Sequence, residues 1–266
     1  MQPDNILVEI LMKILLTNDD GIGSALLSEL ANELSSWYEV QVSAPESEQS
    51  GVGHGFTFNR VLPVKKDQLG RLKRMTIKGT PADCVKFAIC NDSEKPDFVI
   101  SGPNNGENTG VATAYSGTLA GAREAALWGV PSLAISLQVT NEPTRKKMLG
   151  WILRFIKEKQ FANIKKGTFW SVNFPDIEEY PNAETIWCSQ SLVMYEDQYL
   201  QIACDPNSVG YMLSGYKPRN KFVLGTDDEA LYNGKITISP LTLDQTDYAE
   251  LNRLSKVFFK SMNQNV

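Results

Sequence analysis

Apolar positions along this chain fall into two rhythms. Short unbroken runs at Ile14-Leu15-Leu16 and Phe98-Val99-Ile100, with apolar-rich stretches at 132–137 and 169–174, have the length of strands buried on both faces. Val40 and Val42 predict a further strand that ends at Ala44-Pro45. Between these runs the spacing lengthens to that of helices: Leu26, Leu27, Leu30 and Leu34 behind Ser24 as a cap, then Ala82 to Cys90 behind Pro81. Two more helices follow, a small-residue stretch from Ser116 to Trp128 and a stripe of Met148, Ile152, Phe155 and Ile156. Strands that alternate with helices predict a mostly parallel sheet covered on both faces, with right-handed crossovers. The expected fold is α/β, a Rossmann-like three-layer sandwich.

From about residue 180 the rhythm changes. Val223-Leu224-Gly225 and Lys235 to Ser239 read as extended, and Leu251, Leu254 and Phe258 mark a terminal helix. These segments predict a C-terminal β-hairpin extension and a helix packing back on the main sheet, so residues 12–180 and 181–266 are expected to share one domain. A small apolar hairpin is marginal by itself, which makes association between subunits an expectation. At the other end, Ile6 to Leu16 contains Glu9 and Lys13, is too short to span a bilayer and lacks a small-residue cleavage site. Met12 is therefore an alternative start, residues 1–11 an extension that is non-native or disordered, and the chain a cytoplasmic protein with no membrane partner.

Composition narrows the function more than the fold. The 266 residues are 42% hydrophobic and 21% charged, with no repeat or low-complexity tract, as in an ordinary folded protein. With 26 basic against 31 acidic residues the net charge is -5, which argues against a duplex nucleic-acid partner. A small phosphorylated substrate stays open, because a bound cation overrules net charge locally. Cys84, Cys90, Cys188 and Cys204 form no C-x-x-C pair, so neither a zinc site nor a redox motif is indicated, and a reducing compartment fits.

The candidate chemistry begins where the first strand ends, in Thr17-Asn18-Asp19-Asp20-Gly21. Open α/β sheets bind ligands beyond the carboxyl ends of their strands. Two adjacent aspartates there repel each other unless one is protonated, hydrogen-bonded or neutralised, and oxygen donors suit Mg²⁺ or Mn²⁺. The same residues also describe a solvated turn. A parallel sheet would bring to this edge the loops at 44–51 and 101–108 and the helix start at Tyr115-Ser116-Gly117-Thr118, whose free N–H groups favour an anion. Gly21-Ile22-Gly23 lacks the third glycine of a dinucleotide fingerprint, since Leu26 takes its place. Side-by-side aspartates also differ from the D-x-D of haloacid-dehalogenase-like phosphatases.

Taken in register, Lys13 to Gly21, the Ala-Pro-(five residues)-Ser-Gly pattern at 44–51, Gly79 to Cys84, Ser101-Gly-x-Asn104 through Asn108, Tyr115 to Thr118 and Asn173-Phe174-Pro175 resemble the SurE family of nucleotidases. The match runs over roughly residues 12 to 175, and Gly234 to Leu241 resembles the family's late strand. The resemblance implies a phosphatase of nucleoside 5′-monophosphates, in some members also of 3′-monophosphates and short polyphosphate. It implies one divalent ion per subunit, Mg²⁺ or Mn²⁺, on Asp19, Asp20, Ser50 and Asn104, and a homodimer or homotetramer joined through the late β region. Asn18, Asn108, Ser116, Gly117 and Thr118 would face the phosphate, with Asn18 equally able to brace the turn. Either aspartate could accept a proton, and His54, the only histidine, is a candidate general acid. Asp227 and Asp228 read as surface turn residues. One departure is that Ile22 leads through Gly23-Ser24-Ala25 straight into the helix, where the family has a longer, proline-containing stretch. A non-catalytic nucleotide or metal sensor on the same fold is the competing reading.

Overall fold

The computed structural model describes residues 12–70, 72–205 and 208–262, so the 1–11 extension lies outside the described residues. Strand β1 (Lys13–Thr17) opens the sheet, and helix α1 (Ala25–Ser35) returns over it to β2 (Glu39–Pro45). Ser24 caps α1 by accepting the Leu27 N–H, which leaves Leu27, Leu30 and Leu34 facing inward. Two strands not among the expected elements come next, β3 (Val64–Leu69), whose residues 65–69 are exposed, and β4 (Leu72–Ile77), which buries Leu72, Met75 and Ile77. Helix α2 (Pro81–Asn91) starts in a reciprocal capping box between Thr80 and Asp83. Then follow β5 (Phe98–Asn105), α3 (Gly117–Leu127) capped by Ser116, β6 (Ser132–Leu137), α4 (Glu142–Lys157) and β7 (Thr168–Phe174).

The later elements are β8 (Thr185–Trp187), a hairpin of β9 (Glu196–Asp205) and β10 (Ser208–Tyr216), α5 (Asp227–Tyr232), β11 (Ile236–Thr242) and α6 (Tyr248–Met262). The hairpin thus precedes its expected place. Val223 and Leu224 are exposed residues of a turn, and only Lys235 to Ser239 matches a strand, β11. Nor do residues 248–256 of α6 pack on the sheet, since nearly all of them are exposed.

The nine strands of the main sheet run in the order β3-β4-β2-β1-β5-β6-β7-β11-β8, with only β3 on β4 and β11 on β7 antiparallel. One face packs Ile14, Leu16, Phe98 and Ile100 against α1 and α4. The other packs Leu15 and Val99 against α2, and Ala134 and Phe169 against α3. The three layers follow from strands that are apolar on both sides. Because the chain moves outward from β1 through β2 to β4 and then restarts at β5 on the other side of β1, the strand order reverses between β1 and β5. That reversal opens a crevice at the carboxyl edge. Among the described residues, no helix is long and apolar enough to cross a membrane.

Candidate functional site

The crevice is a cleft of about 810 Å³. Asp19, Asp20, Ser50, Asn104, Asn108 and Ser116 all line it, from the ends of β1, β2 and β5 and the start of α3. Met194, Tyr195, Asp197 and Leu213, at the base of the hairpin, form part of its wall.

Asp19 is held from every side. It is almost fully buried, its Oδ1 accepts the Thr118 hydroxyl, and its carbonyl accepts the Gln49 N–H at 2.7 Å. A Cβ on Gly117 would lie 2.8 Å from Asp19 Cβ and 3.0 Å from its Oδ2, so only glycine lets α3 approach this closely. Burial raises the Asp19 pKa above the ordinary carboxylate range, and hydrogen bonds from the Thr118 side chain and backbone offset this only in part. The helix start therefore already has an acceptor at its Thr118 hydroxyl and N–H, the Asp19 carboxyl. Gly117 and Thr118 both meet Asp19 and are absent from the cleft lining, whereas Ser116 lines the cleft with its oxygen accepting the Leu119 N–H.

Asp20 differs from its neighbour. It is half-buried, accepts no hydrogen bond from the described residues, and has its pKa pushed up to about 6 by burial and then by the charges of Asp19 and Glu48. Across the cleft the Ser50 hydroxyl donates to Glu48 at 2.6 Å, which leaves oxygen lone pairs available. Asn104 spends its amide N–H on the Gly106 carbonyl at 2.8 Å, which frees its Oδ1 as an acceptor. It reaches the edge because β5 shifts register against β6 between Ser101 and Asn104, at Gly102-Pro103; the first part of the loop expected at 101–108 is a bulge within the strand. Asn108 gives one N–H to Ser136 Oγ at 2.9 Å and is fixed through its backbone by Asn173.

Two expected residues stand elsewhere. Asn18 closes its amide on Gly21, donating to the carbonyl and accepting the N–H, both at 3.2 Å. It braces the turn and does not line the cleft. The His54 ring pairs with Glu124 at 2.9 Å, also outside the cleft lining. The surface position expected for Asp227 and Asp228 is also corrected, since both are buried. Asp227 accepts the N–H groups of Gly110 and Ser191, each at 2.8 Å, and Asp228 pairs with buried Lys217 at 2.6 Å. They lock the extension onto the loop after β5; no local signal marks this, since their partners come from distant segments.

Two carboxylates, a hydroxyl and an amide carbonyl make a donor set of hard oxygens suited to Mg²⁺ or Mn²⁺. Among the described residues no group of three or more His, Cys, Asp or Glu could hold a metal ion, so Ser50 and Asn104 would be needed to complete the set. Asp20, a carboxylate with no hydrogen-bond donor among the described residues, is the observation that fits a cation.

The raised Asp20 pKa has a consequence for metal-free protein. Between about pH 4 and 6 the native state binds more protons at Asp20 than the unfolded chain, so this group's contribution to stability declines as pH rises through that window. At pH 7.5 Asp20→Asn should therefore raise metal-free stability by about 2 kcal/mol, after discounting for partial exposure. The gain should vanish by pH 4. Urea titrations of both proteins at the two pH values test this; an equal gain at both would assign it to something other than charge.

A family model described as survival protein SurE matches residues 14–197. The 5′-nucleotidase SurE of Maridesulfovibrio salexigens is 36% identical over 93% of this chain and 99% of its own length. That of Fervidobacterium nodosum is 37% identical over 95% and 99%. The crystal structure of the SurE protein from Aquifex aeolicus superposes with a TM-score of 0.77 at 29% identity, covering 92% of this chain and 99% of that one.

Proposed function

The chain belongs to the SurE family, and from that membership we infer that it is a 5′-nucleotidase, a hydrolase of nucleoside monophosphates. We propose further that a divalent cation held by Asp19, Asp20, Ser50 and Asn104 is required. The observation that carries this is the Asp20 carboxylate, half-buried beside Asp19 with no donor among the described residues, on the cleft that Ser50 and Asn104 also line. Bound there, Mg²⁺ or Mn²⁺ would supply Lewis acidity toward phosphate and make water a better nucleophile.

The chain's own groups do the rest. Ser116 Oγ–H and the second N–H of Asn108 are donors for phosphate oxygens. Asp20 takes the proton of the attacking water, since the Asp19 carboxylate is already committed to Thr118. The wall of Met194, Tyr195 and Leu213 offers apolar surface for the nucleoside. Exposed Leu200, Ile202, Val209 and Tyr211 on the hairpin support self-association as a dimer or tetramer. The buried thiols of Cys84 and Cys188 support a reducing, cytoplasmic setting.

Phosphate release from nucleoside 5′- and 3′-monophosphates, short polyphosphate and an aryl phosphate, each with Mg²⁺, Mn²⁺ or EDTA, tests the reading. The expected result is metal-dependent release with the 5′-monophosphates turned over fastest. Hydrolysis that survives EDTA would remove the cation from the scheme. No release from any phosphomonoester would leave a non-catalytic binder.

A further inference from the structure

Glu124 sits in the interior of α3 with 3% of its surface exposed. Three donors converge on it, His54 Nε2, Lys86 Nζ and Trp128 Nε1, each at 2.9 Å. Burial would raise its pKa, but these hydrogen bonds hold it down at about 2, so it is a carboxylate at neutral pH. A carboxylate can only accept, which makes Nε2 the protonated nitrogen of His54. Lys86 already neutralises the buried charge. What His54 adds is a tether, because it comes from the loop that carries Ser50.

That loop, residues 50–57, has no regular secondary structure and is fixed by contacts at several points. The Gly53 N–H donates to the Tyr115 carbonyl at 2.8 Å, just before α3. Thr57 donates its N–H and hydroxyl to Asp83 at 2.7 and 2.8 Å, and the Gly55 carbonyl accepts the Thr80 hydroxyl at 2.7 Å, both at the start of α2. His54 is the side-chain link to α3, the helix whose Thr118 holds Asp19. Ser50 and Asp19 are thereby referred to one rigid element.

We propose that the His54–Glu124 pair is a positioning device for the metal site, keeping the Ser50 hydroxyl on the cleft that Asp19 and Asp20 line by pinning its loop to α3. This rests on the cation reading given above. His54 is a positioning residue that touches neither substrate nor cation.

The test compares wild type, His54→Ala and His54→Gln, whose amide can reproduce the Nε2–H donor. Mn²⁺ dissociation constants by calorimetry, hydrogen exchange at amides 50–57 in metal-free protein, and kcat at saturating Mn²⁺ are the readouts. His54→Ala should weaken Mn²⁺ binding about tenfold or more, as loss of a group that orients a ligand does. It should also speed exchange at 50–57 and leave kcat at saturating metal within about threefold, because the effect lies in metal occupancy. His54→Gln should recover most of the affinity and protection. Unchanged Mn²⁺ binding in His54→Ala would overturn the proposal while leaving the cation reading intact. Equal loss of kcat in both variants at saturating metal, with loss of one limb of the pH profile, would make His54 a proton donor. If wild type binds no Mn²⁺, or Asp19→Asn binds it as well as wild type does, the cation reading falls and takes this proposal with it.

Discussion

Asp20→Asn is expected to lower phosphate release by about 10³-fold or more, the scale on which a single electrostatic group at a reacting centre acts. Asparagine keeps the shape of the side chain but removes the charge that faces the cleft without a donor. Asp19→Asn should be equally inactive for a partly different reason. Its carboxylate takes both the Thr118 hydroxyl and backbone N–H groups, so an amide in its place loses negative charge and must also turn its NH₂ away from those donors. Circular dichroism should show both variants folded, since the change is isosteric and removes repulsion. The effect should divide between the two kinetic constants: weaker Mn²⁺ binding in both variants, and a residual loss of kcat at saturating metal that is greater for Asp20→Asn if that carboxylate also takes the proton. Near-normal turnover of either variant would remove it from the ligand set.

The second large effect is expected far from any charge. Gly102 adopts φ +116°, and a Cβ there would lie 2.3 Å from the Ile135 carbonyl oxygen on β6. That oxygen belongs to the backbone of a neighbouring strand in the main sheet, so it cannot swing aside. Gly102→Ala should cost about 3 kcal/mol or more, combining a disfavoured backbone region with a backbone clash. The damage should also reach the site, because this bulge is what delivers Asn104 to the cleft. Urea midpoints and Mn²⁺ affinity should fall together, whereas Gly23→Ala, with nothing within 4 Å of its added Cβ and no positive φ, should alter neither by much. A wild-type midpoint in the Gly102→Ala variant would mean that β5 and β6 are not locked as described.

The same contrast, local pattern against distant partner, decides what can be read from the sequence. The strands and helices on both sides of β1 declare themselves because each buries its own apolar stripe, as Leu27, Leu30 and Leu34 do. Strand β3 escapes such a reading because Lys65, Lys66, Asp67 and Gln68 are an edge strand's polar residues, without the alternation that a half-buried strand shows. The pattern also puts the hairpin too late in the chain: residues 196–202 and 208–216 are mostly exposed and mix polar and apolar side chains without a core to pattern them. At the site, the loops that line the cleft follow from strand order, since a parallel sheet collects its carboxyl ends at one edge. The work of individual side chains does not follow. Asn18 bonding within its own turn, Thr118 bonding to Asp19, and His54 pairing with Glu124 depend on geometry that spacing along the chain does not encode. Asp227 and Asp228 show this most plainly, as a pair of adjacent carboxylates whose partners include Gly110, 117 residues away from Asp227.

The borders of the main sheet carry a consequence for crowded solution. A nine-stranded sheet offers two rows of unpaired backbone groups, each able to recruit a strand from another molecule. At one border β3 sets Lys65, Lys66 and Asp67 in sequence, so an arriving strand would have to desolvate three charges. At the other, β8 is only three residues long and gives little template to extend. Fibrous polymerisation through the sheet is thus opposed at both ends by different means, and exchanging Lys65 and Lys66 for valine would be the shortest route to an aggregating variant.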